Sequence, residues 1–111
     1  MERFIDYLTQ KIGVCRDQIV VLEKDGRKDE ADFAKVRLNI YDVCRTVTNA
    51  LVARPGSGPE AVKAQFERFR REWNAALDKA REHGDTRNTV VGETKLEVLE
   101  DVMEHFAEVT Q

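Results

Sequence analysis

Imidazole and thiol chemistry in this chain rests on four residues, His83, His105, Cys15 and Cys44. A shared ion on one helix needs ligands three or four residues apart, and Asp101 with His105 and His105 with Glu108 meet that spacing. Each such set has a single imidazole. The di-metal carboxylate bundles use a Glu-x-x-His pair on each of two helices, and the sequence has no such pair. His105 therefore reads as a surface histidine among acids, and no metal or cofactor is implied. A nucleophilic cysteine needs a neighbouring base or a helix N-terminus. Cys15 and Cys44 both fall in the middle of apolar helical patterns, where small core residues are expected. If the first two helices fold back about Gly26, the residue level with Cys15 lies near Leu38, six residues from Cys44. That is about 9 Å of helical rise, beyond the roughly 7 Å limit for a disulfide, so two reduced thiols are predicted. No glycine-rich phosphate loop or serine elbow is present, and no catalytic residue is assigned.

The segment Phe66-Glu67-Arg68-Phe69-Arg70-Arg71-Glu72-Trp73 interleaves aromatics with arginines, as nucleic-acid binders do. Its aromatics, however, share the stripe that must face a core, and the surrounding acids nearly cancel the arginines. With 18 basic and 21 acidic residues the net charge is -3. Such a balance gives no general attraction for nucleic acid or acidic membranes.

The elements that carry these residues follow from periodicity. Ile5, Leu8, Ile12, Cys15, Ile19 and Leu22 recur at helical spacing, and Asp25-Gly26 ends the run. Phe33, Val36, Ile40, Val43, Val47 and Ala50 form a second stripe, stopped by Pro55-Gly56-Ser57-Gly58-Pro59. Ser57 with Glu60 reads as a capping box opening a third helix with the stripe Val62, Phe66, Phe69, Trp73, Ala76 and Ala80, which ends at Gly84. The stretch 85–93 is rich in Thr, Val, Asn and Gly and reads as a loop or an early, irregular turn, and Thr94 with Glu97 is taken as the cap of a fourth helix carrying Leu96, Leu99, Met103 and Phe106. The chain is thus read as all-α, a single domain over 1–111 forming a four-helix antiparallel up-down bundle, with helices at roughly 2–24, 29–53, 58–83 and 94–110.

The inner stripes contain no ionisable carboxylate, imidazole or amine, which weighs against an active site built in the bundle core. Polar residues flanking the stripes, Arg37, Tyr41, Asn74, His83 and His105, leave open a second reading, a groove that holds a small molecule or ion.

Two surface features point to protein contacts. Tyr7, Val14, Val20 and Val21 add a second apolar face to the first helix, and Val98, Val102 and Val109 do the same for the last. The last helix is also acidic, with Glu97, Glu100, Asp101, Glu104 and Glu108 against Lys95. The expectation is a non-enzymatic bundle that works by self-association, as a homodimer, or by binding another protein. Its candidate surface is Tyr7, Val14, Val21, Val98, Val102, Glu97, Glu100, Asp101, Glu104 and Glu108. No apolar run exceeds four residues, far short of the roughly 20 that span a bilayer. Nor does the start resemble a secretory signal, so a cytoplasmic location is expected.

Overall fold

The computed structural model describes residues 1–110. Four α-helices make up the fold: α1 (Glu2–Lys24), α2 (Lys28–Val52), α3 (Pro59–Glu82) and α4 (Thr86–Val109). They form the expected four-helix bundle, without β-strands among the described residues.

Two of the three connections are as short as helix termini permit. After α1, Gly26 adopts φ +73°, its N–H donates to the Glu23 carbonyl at 3.1 Å, and the Arg27 N–H reaches the Leu22 carbonyl at 2.9 Å. This is the Schellman pair, which satisfies otherwise orphaned carbonyls and needs a residue free of Cβ strain at the left-handed position. The same pair closes α3, with Gly84 at φ +64° donating to Arg81 and Asp85 donating to Ala80. In both turns the second donor, Arg27 or Asp85, is also the N-cap of the next helix. The third connection, 53–58, is longer and contains Gly56 at φ +80°.

Two sequence-based expectations change here. α3 starts at Pro59 behind an N-cap of Gly58 that makes no side-chain cap bond, so Ser57 and Glu60 do not form a capping box. α4 begins at Thr86, eight residues before the predicted start. The Asp85 carboxylate accepts from the Asn88 backbone N–H at 3.1 Å and from its side-chain amide at 2.6 Å. That cap supplies the helix start which the local propensities of Thr, Asn and Val do not. Thr94, now inside the helix, donates its hydroxyl back to the Val90 carbonyl and caps nothing.

α2 and α4 each pack against all three other helices, whereas α1 and α3 make no close backbone approach to each other. The bundle is accordingly flattened, with extents of 45 × 35 × 21 Å and α2 and α4 meeting across the short diagonal. α2 achieves this with mostly small side chains. Its buried residues are Ala31, Ala34, Ile40, Tyr41, Cys44 and Thr48, while Phe33, Val36, Val43 and Val47 of the predicted stripe are only partly buried and Ala50 is exposed.

The continuous core fills one end of the bundle. Phe4, Phe66 and Phe106 meet edge to face at centroid distances of 5.2–6.1 Å, surrounded by Leu8, Ile12, Val62, Leu99 and Val102. Burial of each large apolar side chain there contributes about 1.5–3 kcal/mol before entropy is counted. At the other end, beside the two glycine turns, the buried apolar residues are Ile19, Ala31, Ala34 and Leu77, which lie outside that cluster.

Candidate functional site

α1 meets α4 through a polar cluster at mid-height of the packed end. The Tyr7 hydroxyl of α1 and the Tyr41 hydroxyl of α2 both donate to Oδ2 of Asp101 on α4, the latter at 2.7 Å. His105, one turn after Asp101, lies flat on the Tyr7 ring, with centroids 3.6 Å apart and planes inclined by 3°. The Lys11 ammonium sits 5.8 Å from the Tyr7 ring centroid. One carboxylate thus ties three helices together.

The electrostatics follow from that arrangement. Burial is the largest influence on both phenols, and hydrogen bonding to the Asp101 anion adds to it, so Tyr7 and Tyr41 are pushed well above the usual tyrosine range. Burial works against ionisation of Asp101, but the two phenol hydrogen bonds, aided by Lys11 and His105, outweigh it and hold the carboxyl below the usual aspartate range. The phenols are poor acids and Asp101 a poor base, as befits a structural link.

These positions correct part of the predicted surface. Asp101 and Tyr7 are joined to each other and are not available as separate docking groups. Val98 and Val102 are 3% and 0% exposed, within the core. They are buried because α4 faces α2 across the short diagonal as well as α1 and α3, which widens its apolar face beyond a single stripe. Leu96 and Met103, expected on that stripe, are only partly buried.

The remaining predicted residues are on the outside. Val14 and Val21 are 46% and 57% exposed, and Val20 between them is 55% exposed. With Leu22 and Arg37 of α2, Val14 and Val21 edge an apolar hollow on the outer surface. Glu97, Glu100, Glu104 and Glu108 are exposed along α4, although Glu100 pairs with Arg70 of α3 at 3.2 Å, and Glu93 similarly with Arg81 at 3.7 Å. Such exposed pairs are worth about 0–1 kcal/mol each. They reduce the acidity that the sequence of α4 suggests.

Metal and thiol chemistry find no support from geometry. Among the described residues no group of three or more His, Cys, Asp or Glu side chains is placed to hold an ion. His83 is exposed at the end of α3, with Nδ1 2.8 Å from the Lys79 carbonyl. Both cysteines are free and buried, as expected. Burial pushes the Cys44 thiol up to about 12, and burial likewise raises Cys15 against the opposing pull of Arg37 and Lys11. Neither is poised as a thiolate.

Sequence reading missed the joint role of Tyr7, Tyr41 and Asp101. Their positions on three different helices share no spacing that a linear pattern reveals. No helix of the described residues is long and apolar enough to cross a membrane. Comparison of the chain with protein-family models, curated proteins and solved structures found no match.

Proposed function

We propose that the protein is a binding module that self-associates through the outer face of α1. The observation that carries this reading is the exposure of Val14, Val20 and Val21, three large apolar side chains within eight residues on one helix. Val14 and Val21 are two helical turns apart and share a stripe, which Val20 widens. Single exposed valines are ordinary, but two on one stripe with a third beside them, edged by polar groups such as Asp17, Gln18 and Arg37, have the composition of a contact surface.

Charge favours a second copy as the occupant. α1 carries Arg3, Lys11, Arg16 and Lys24 against Glu2, Asp6, Asp17 and Glu23, four of each sign and a net of zero. Two such faces approach without mutual repulsion. α4 carries Arg87 and Lys95 against Glu93, Glu97, Glu100, Asp101, Glu104 and Glu108, a net of -4 that Arg70 and Arg81 of α3 offset only in part, so two copies of α4 repel. A symmetric pair built on α1 leaves those acids facing outward.

Sedimentation velocity over a concentration series tests the proposal. The wild type is expected to shift from monomer to dimer as concentration rises, and the double variant Val14→Glu, Val21→Glu to stay monomeric with unchanged helicity and Tm. Surface substitutions of this kind alter stability by about 0.5 kcal/mol or less. A wild type that is monomeric throughout sinks the idea, as does a variant that unfolds, because the valines would then be core.

A further inference from the structure

We infer a binding groove for a small planar anion between the C-terminal half of α3 and the N-terminal half of α4. The groove has a volume of about 440 Å³, within the range of roughly 300–1,000 Å³ that small-molecule sites occupy. It exists because the apolar stripe of α3 outlasts the core: Ala76 is exposed, Ala80 and Trp73 are only partly covered, and Leu77 alone is buried in this half. Across from them α4 contributes Gly92, where even a methyl group would stand 3.1 Å from the Leu77 Cδ1. The small side chains hold the two helices close at the floor and leave the space above it unfilled.

The walls select the chemistry of the occupant. Trp73 forms one wall, backed by Phe69, which stacks on it at 4.9 Å with planes inclined by 6°. The Lys95 ammonium lies 4.7 Å from the Trp73 ring centroid. It and Lys79 on the opposite helix both border the groove, and neither forms an ion pair among the described residues. Asp85, at the turn end, is committed to the Asn88 amides, and burial plays little part there because those hydrogen bonds dominate and lower its pKa. The unsatisfied charges are therefore cationic. A planar ring takes the place of Lys95 on the indole face, and its anionic group draws the two ammonium groups inward, so stacking and ion pairing are both gained.

The chain's single tryptophan makes the site readable by fluorescence. 1-Anilinonaphthalene-8-sulfonate is the anionic probe and N-phenyl-1-naphthylamine, the same ring system without the sulfonate, its neutral control. The wild type is expected to bind the sulfonate saturably with quenching of Trp73 and to bind the neutral control at least tenfold more weakly. Lys79→Gln with Lys95→Gln is expected to bring the sulfonate down to the affinity of the control. Ala76→Leu fills the groove from an exposed position and is expected to abolish binding of both with helicity unchanged. The Val14→Glu, Val21→Glu variant is expected to bind as the wild type does, which separates this site from the α1 face. Equal affinity for the two probes overturns the inference, and so does sulfonate binding that survives Ala76→Leu or is lost with the α1 valines.

Discussion

The two ends of the bundle are built from the same helical spacing but not from the same volumes. At the end holding the chain's start, Phe4, Phe66 and Phe106 interlock and fill the interior, so that the hollows of that end, beside Tyr7 and His105 and beside Phe106, lie at its surface and are edged by polar side chains. At the end holding the glycine turns, the corresponding positions are Ala31, Ala34, Ala76, Ala80 and Gly92, and grooves open between α3 and α4 and between α2 and α4. Stability is expected to concentrate where the side chains are large. Exposed large apolar side chains gather where the interior ones are small, since Val20, Val21 and Val90 lie toward that same end.

Truncation is the strongest way to break this contrast. Phe66→Ala is expected to cost about 3–5 kcal/mol in urea denaturation, since it leaves a sealed void among three rings. Leu77→Ala, beside an already open groove, is expected at the bottom of the range for such changes, about 2 kcal/mol. Equal losses would mean that the two ends are energetically alike.

The polar link gives an intermediate effect with a pH signature. Asp101→Asn removes a charged acceptor shared by two phenols, and partial exposure of the site places the expected loss at about 1–2 kcal/mol at pH 7. Folding lowers the Asp101 pKa. Its contribution is therefore complete above the unfolded aspartate value of about 4 and fades as the pH falls through the folded value. Wild type and variant should converge in acid and differ fully at neutral pH. A gap independent of pH would remove the charge from the account.

The smallest effect has the opposite sign. Gly92→Ala improves helix propensity by about 0.5–1 kcal/mol, against a contact of 3.1 Å with the mobile end of Leu77. Because Leu77 borders open space, it can yield, and a net gain of about 0.5 kcal/mol is expected by thermal denaturation. A loss would show that the open end is packed as tightly as the aromatic one.

The sequence carried the bundle because glycine stops and heptad spacing are local signals. The first three helices fall within one residue of their predicted bounds. It misplaced the start of α4 because Thr86, Asn88, Thr89, Val90 and Val91 argue against helix one by one, while the Asp85 cap and packing of Gly92 on Leu77 override them together. The burial of Ala31, Ala34 and Thr48 ahead of Phe33 and Val36 was illegible for another reason. It depends on which two helices meet across the short diagonal, and helical periodicity does not say which pair that is. The same limit hid the meeting of Tyr7, Tyr41 and Asp101.

The diagonal position that α2 shares with α4 also orders how the molecule opens. The middle of a helix that touches every other one cannot lose its hydrogen bonds while its neighbours remain assembled. Amides around Ile40 to Thr48 should exchange with solvent only when the whole chain unfolds, whereas those of the first turns of α2 and α4, next to the grooves, exchange through local opening. In that sense the bundle has a frame and a mouth.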